Sequence, residues 1–175
     1  MTEIKTEYVP SSREEQFISL AAQEAEKSPV LMRHGALAVS NGRILAKGYN
    51  HYRSHSCDHI MNGGCTCHAE CDVLHKLLKA KPRHPRQPAR QKPQTARQRR
   101  ITMYITRIGI AGELRESAPC HDCYEKMLFY GIRTLIFTTE VDNQIQYRKC
   151  NTEDFNPSVI TTGQRWVSRS TGNVI

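Results

Sequence analysis

The sequence has no apolar run that approaches the ~20 residues of a membrane-spanning helix. It also lacks the pattern of a secretory signal, since its first ten residues, MTEIKTEYVP, are polar and mixed in charge. No internal repeat is visible along its 175 residues, a length that suits one domain with a sizeable core. These absences favour a single domain, residues 1–175, that acts in the cytoplasm and does not bind a membrane.

Complete disulfide pairing is excluded, because the chain has an odd number of cysteines, seven. Without a signal for secretion, metal ligands are a better interpretation of these residues than disulfides. Five of the seven lie in two short stretches, CTCHAEC at 65–71 and SAPCHDC at 117–123. Cys150, in contrast, is expected to be a thiol in or near the core.

Acidic and aromatic residues are both missing from residues 79–100, which contain nine of the 25 Lys and Arg residues. Outside this segment 16 basic residues face 17 acidic ones, so the net charge of +8 is a property of the segment. Its Pro, Gln and Arg content without periodicity predicts a flexible insertion at 80–100. Three interpretations stay open: contact with the phosphates of RNA or single-stranded DNA, a nuclear localisation signal, and a solvated insertion without function.

Hydrophobic periodicity and turn residues predict an alternation of helices and strands in the rest of the chain. Ser12 and Glu15 form a capping box at the start of a first helix. Asn41-Gly42 predicts a hairpin between strands near 35–40 and 43–49, because both turn positions require positive φ. A second helix is expected from about Cys67 to Lys79 and a strand at 101–108.

The C-terminal part adds a helix in PCHDCYEKMLFYG, with Pro119 in its first turn and Gly131 at its end. Strands follow in IRTLIFTTEV and QIQYRKCN, joined by a turn at Asp142-Asn143, and an irregular tail at 151–175 brings Trp166 against the core. This order predicts a mixed sheet covered by helices, an α/β architecture.

Four residues in the two cysteine-containing stretches could form a catalytic metal site. Cys120 and Cys123 present two thiols on one turn at a helix start, and His68 can supply a third ligand. Catalytic zinc sites use three protein ligands and keep one position open for water. Glu70 lies two residues after His68 and can act there as a general acid and base. The alternative is a structural zinc site closed by Cys71 or Cys67.

The pair of motifs HAE at 68–70 and PCHDC at 119–123 resembles the signature of the cytidine/deoxycytidylate deaminase superfamily, H-x-E followed by P-C-x-x-C. The resemblance extends from about residue 12 to residue 140. It implies a three-layer α/β/α fold with a mixed five-stranded sheet. Because no helical stretch separates the last two strands, we expect them to form an antiparallel hairpin, the arrangement of free-cytidine deaminases and of some RNA or DNA editors.

By the same resemblance, His68, Cys120 and Cys123 bind one catalytic zinc ion, and Glu70 transfers protons between water and the base. Ala69, through its amide, and Asn50 are implied substrate contacts. The resemblance also implies a homo-oligomer and a substrate that is a nucleoside or nucleotide with a cytosine-type base. Two alternatives stay open: a base in RNA or single-stranded DNA held through residues 79–100, and an inactive zinc-stabilised binding module.

Two features depart from the usual pattern of the superfamily. The interval between Glu70 and Pro119 holds 48 residues, about twice the usual length, and the basic segment accounts for most of the excess. Asp72 occupies a position that is often Asn in the branch acting on nucleotides. A separate cluster, Cys57, His59, Cys65 and Cys67, suggests a second, structural zinc, although its ligand spacing is tighter than in most zinc fingers.

Overall fold

The computed structural model describes residues 8–61, 65–79 and 100–158. Three helices and six strands alternate along these residues. The helices are α1 (Ser12–Glu26), α2 (Ala69–Lys79) and α3 (His121–Phe129). The strands are β1 (Arg33–Ser40), β2 (Arg43–Tyr49), β3 (Ile101–Ile108), β4 (Leu114–Arg115), β5 (Ile132–Val141) and β6 (Gln144–Asn151).

The strands form one mixed sheet in the order β2-β1-β3-β5-β6, and the two-residue β4 pairs with the end of β3. Only β3 and β5 run parallel, and α3 provides the crossover between them. The last two strands, β5 and β6, form the antiparallel hairpin that the sequence predicts. The α/β fold and the predicted order of its major elements are therefore confirmed.

Both predicted two-residue turns are present, and in each case left-handed backbone explains the residues chosen. Asn41 and Gly42 have φ of 49° and 72°, and Asp142 and Asn143 have φ of 51° and 61°. Gly and Asn, and to a lesser degree Asp, accept this conformation at low cost. Gly131, with φ of 76°, ends α3 as predicted.

The sheet lies between two layers of helices, so the architecture has three layers. On one face, α1 packs through Phe17 and Ile18 against alternate residues of the central strands, among them Leu37 and Tyr104. On the other face, α2 and α3 cover a larger cluster that includes Ala36, Ala38, Met103, Ile105 and Phe137. Within the described residues, no helix is both long and apolar enough to cross a membrane.

The structure corrects three local predictions. The capping box of α1 uses Ser11 and Glu14, one residue earlier than predicted, because Ser11 is the residue with extended backbone that accepts the Glu14 amide. Pro119 precedes the cap residue Cys120 of α3 instead of occupying its first turn. The sheet has six strands instead of five, because the segment after β3 folds back as β4.

The described part of the predicted irregular tail contains local structure. Thr152–Asp154 form a single 3-10 turn, and the ring of Phe155 is buried against Phe137 and Tyr124. The predictions for Trp166 and for all but the two ends of segment 79–100 fall on residues 159–175 and 80–99, which lie outside the described residues.

Candidate metal centre and active site

The start of α2 is held against the sheet by close packing on β2. A Cβ atom added to Gly48 would lie 2.9 Å from the Ala69 carbonyl oxygen and 2.9 Å from a carboxylate oxygen of Asp72. Only glycine therefore allows the helix to approach this closely. The first seven residues of α2 are all buried, which fixes the helix start that carries His68 and Glu70.

The start of α3 supplies the two thiols. Cys120 is the cap residue, with extended backbone at φ −76° and ψ 166°, and its side chain makes no capping hydrogen bond. Its sulfur is therefore available to a ligand, and Cys123 lies one turn further on in the same helix. Both cysteines are buried, at 4% and 0% exposure.

Three ligand atoms from the two helix starts converge. The Nδ1 atom of His68 lies 3.2 Å from the Cys123 sulfur and 3.4 Å from the Cys120 sulfur. A tetrahedral zinc ion with bonds of about 2.0–2.1 Å to nitrogen and about 2.3 Å to sulfur separates such atoms by about 3.5 Å. The spacing and the donor set of one imidazole and two thiolates fit zinc.

The pKa values of these three groups also favour the binding of a cation. The hydrogen bond from Cys123 lowers the pKa of the Cys120 thiol to about 4, with His68 adding to the effect. The same bond, with burial, raises the pKa of Cys123, so the pair shares one proton. Burial opposes charge on His68, but the bond to Cys120 outweighs it and raises the pKa of the imidazole to about 9. A metal ion would displace these protons and take over the positive charge.

Glu70 is buried beside the three ligands, with 4% of its surface exposed. Burial raises the pKa of its carboxyl group, while the positive charge of His68 lowers it. A raised pKa brings a carboxyl group closer to neutrality, where it can both accept and donate a proton. Position and environment therefore suit an acid–base role next to a metal-activated water.

Cys71 lies behind this centre, with its sulfur 3.8 Å from that of Cys123. It belongs to a separate set of ligand atoms, with Asp122 and Cys123, and not to the set formed by His68 and the two α3 cysteines. Atoms of the second set lie near Lys126, whose Nζ is 2.5 Å from Asp122 Oδ2. An ammonium group thus already provides a positive charge there. In the described chain, His68, Cys120 and Cys123 form a three-ligand set with no fourth cysteine.

The sequence matches the model of the cytidine and deoxycytidylate deaminase zinc-binding region over residues 11–139. The chain belongs to this family. Its matched region includes all the helices and most strands described above, and both helix starts of the metal centre. No curated protein sequence matches the chain significantly.

Solved structures of deaminases share the fold. The cytidine deaminase from Burkholderia pseudomallei has 18% sequence identity and a TM-score of 0.53, and the match covers 83% of this chain and 98% of that protein. The dCMP deaminase from the cyanophage S-TIM5, in its apo form, has 21% identity and a TM-score of 0.45, with 71% and 81% of the two chains covered. The likeness to the Burkholderia protein confirms the deaminase fold.

The two predicted substrate contacts, Ala69 and Asn50, lie at the start of α2 and directly after β2 in this deaminase-family chain. Ala69 is the first residue of α2 and is fully buried. Asn50 follows β2, and both polar atoms of its side chain bind backbone: Oδ1 accepts from the His34 amide at 2.7 Å, and Nδ2 donates to the Met32 carbonyl at 2.6 Å. Asn50 therefore ties β2 to the start of β1, and its contact with substrate stays a prediction.

The residues predicted to bind a second zinc do not form a metal-binding set in the described part of the chain. Cys57, His59 and Cys65 are exposed, whereas Cys67 is buried. Burial raises the pKa of the Cys67 thiol, which favours the neutral form over the thiolate that binds metals. The two sets found among the described residues both include Cys123, and neither includes these four.

Asp58, His75 and His34 escaped the sequence analysis. The loop before α2 is anchored by Asp58, whose carboxylate binds Nδ1 of the buried His75 and the Ser56 hydroxyl and accepts from the Ile60 amide. His34, at the start of β1, lies close enough to His68 for the charges to interact. No sequence motif marks His34, because only the pairing of the strands brings this residue close to His68.

Proposed function

We propose that the protein is a hydrolytic deaminase that converts a cytosine-type base, as cytidine, deoxycytidine or their monophosphates, to the uracil form. The net reaction adds one water and releases one ammonia. The observation that carries the proposal is the convergence of His68 Nδ1 with the sulfurs of Cys120 and Cys123, with the buried Glu70 carboxyl beside them. A closed structural site would have no need of a buried carboxyl group at this place.

His68, Cys120 and Cys123 would hold the zinc ion, which when bound supplies Lewis-acid activation of water. The chain's own contribution is then proton transfer. Glu70 takes a proton from the attacking water and delivers it to the ring nitrogen of the base. The carbon that carries the amino group becomes tetrahedral. Glu70 then takes the proton of the newly added hydroxyl group and passes it to the amino group, so that the C=O bond of the uracil form is made as the C–N bond breaks and ammonia leaves.

Ammonia release from a substrate panel tests this function. The panel contains cytidine, deoxycytidine, their 5′-monophosphates, adenosine, guanine, and single-stranded DNA and RNA. We expect turnover of cytosine-type small molecules, abolished by chelation and restored by zinc. Turnover confined to polymers would point instead to a nucleic-acid deaminase, and zinc binding without any turnover would indicate an inactive binding module.

A further inference from the structure

His34 and Arg107 lie side by side on the face of the sheet that carries the metal centre. They are register partners in the antiparallel pairing of β1 with β3. Side chains alternate between faces along a strand, and the neighbours at Ala36 and Ile105 pack in the cluster under α2 and α3. His34 and Arg107 therefore point to the side of these helices, away from α1.

His34 lies between Arg107 and the metal centre, since its charge interacts with those of both Arg107 and His68. Burial, with a smaller effect of the positive charges of His68 and Arg107, lowers the pKa of His34 to about 4. The His34 Nδ1 atom is 3.1 Å from the Met32 carbonyl oxygen, which can only accept, so Nδ1 carries the hydrogen. His34 is therefore neutral, and Arg107 is the cation of this pair.

Arg107 lacks the partners that the other arginines at this end of the sheet have. Arg33 donates to the carbonyl groups of residues 109 and 110. Arg115, the register partner of Arg107 on β4, binds Glu113 with two hydrogen bonds of 3.0 and 2.6 Å. Within the described residues, Arg107 forms no ion pair, and its Nε is buried without a hydrogen-bond partner.

A buried guanidinium donor without a partner is costly, so an anion is the expected partner of Arg107. The base and the sugar of the proposed substrates are neutral, and the phosphate is their only charged group. A guanidinium group also matches a phosphate geometrically, because it can donate two parallel hydrogen bonds.

We propose that Arg107 binds the 5′-phosphate of a mononucleotide substrate and so makes this protein a nucleotide deaminase in preference to a nucleoside deaminase. This inference rests on the proposed function, since it names the substrate class of the same site. Arg107 acts here as a specificity residue and takes no part in proton transfer.

The test compares Arg107→Gln and Arg107→Lys with the wild type, and Arg115→Gln serves as the matched control. For each variant, kcat/KM is measured on cytidine and deoxycytidine and on their 5′-monophosphates. We expect Arg107→Gln to lower the value for the monophosphates roughly 10- to 100-fold and to leave the nucleosides unchanged. Arg107→Lys should give an intermediate loss, because lysine keeps the positive charge but cannot donate the two parallel hydrogen bonds of a guanidinium group. The control Arg115→Gln should match the wild type.

Equal losses on nucleosides and monophosphates, or no loss on monophosphates, would overturn the inference. Zinc content and circular dichroism identify variants that fail to fold, in which case Arg107→Lys provides the comparison. If only oligonucleotide turnover depends on Arg107, the phosphate belongs to a polymer and the mononucleotide assignment is wrong.

Calorimetric binding of cytidine 5′-monophosphate and of cytidine to the zinc-loaded protein separates this inference from the proposed function. Monophosphate binding that depends on Arg107, without ammonia release from any substrate, would refute the catalytic function and support the phosphate site. Ammonia release that does not depend on Arg107 would support the catalytic function and refute the phosphate site.

Discussion

Replacement of Cys71 tests whether the metal centre is open or closed. The Cys71 sulfur contacts that of Cys123 at 3.8 Å, a distance that suits a hydrogen bond in which either sulfur can donate. Two sulfurs bound to one tetrahedral zinc are separated by about the same distance, so this contact alone does not exclude a fourth ligand. The exclusion rests on His68 and Cys120, whose ligand atoms form a three-ligand set with Cys123 that does not include Cys71.

The expected magnitude follows from this arrangement. Loss of a side chain that supports a zinc ligand without binding the metal typically weakens metal affinity about 10- to 100-fold. We therefore expect zinc affinity to fall within that range in Cys71→Ala. Cys71→Ser should lose less, because its hydroxyl can still donate to the Cys123 thiolate. Cys150→Ser, at a half-buried thiol of β6, should leave the affinity unchanged.

Two assays distinguish the outcomes. Competition with a chromophoric chelator gives the zinc affinity, and substitution with cobalt gives a thiolate-to-metal absorption band whose intensity reports the number of bound sulfurs. The band should keep its two-thiolate intensity in both Cys71 variants. A decrease in that intensity on mutation would show that Cys71 binds the metal and that the site is closed. Unchanged zinc affinity in Cys71→Ala would show that the contact with Cys123 has no supporting role.

Two further predictions concern the stability of the fold. In Glu14, burial raises the pKa, but hydrogen bonds from Lys149 and the Ser11 amide outweigh it and lower the pKa from 4.5 to about 2. The carboxylate therefore stabilises the fold above pH 4.5, and this contribution disappears as the pH falls from 4.5 towards 2. Glu14→Gln should cost about 1–2 kcal/mol at pH 7, after allowance for solvent screening, and progressively less near pH 3 in urea titrations; a pH-independent difference would contradict the assignment. Asp58→Ala should cost about 3 kcal/mol in the same titrations, because it leaves the buried His75 without its partner, and a loss below about 1 kcal/mol would show that the loop is anchored elsewhere.

Local sequence signals predicted most of the fold. The hairpins at Asn41-Gly42 and Asp142-Asn143 could be predicted because the residue types themselves favour left-handed backbone. The shift of the α1 capping box by one residue has an equally local reason. The segment PSSREEQ offers two overlapping serine–glutamate pairs, and only the backbone conformation of Ser11 selects between them.

Long-range pairing explains what could not be predicted. The strand β4 has two residues and exists only because it pairs with the end of β3. His34 and Arg107 are 73 positions apart, and the register of β1 with β3 makes them neighbours. The set of three possible metal ligands was predictable, since His68 and the two α3 cysteines lie at helix starts whose spacing carries the motif. Arg107 belongs to no sequence motif, and only the pairing of β1 with β3 places it next to His34.

The most direct test of the central claim compares wild-type protein with Glu70→Gln in one preparation series, with zinc content and ammonia release measured on the same samples. The glutamine keeps the size of the side chain and removes its ability to exchange protons. Because proton transfer by a positioned side chain typically contributes 10²- to 10⁴-fold, we expect equal zinc content and a loss of ammonia release of at least about 100-fold. Equal ammonia release by the two proteins, or a wild-type protein that binds no zinc, would contradict the account.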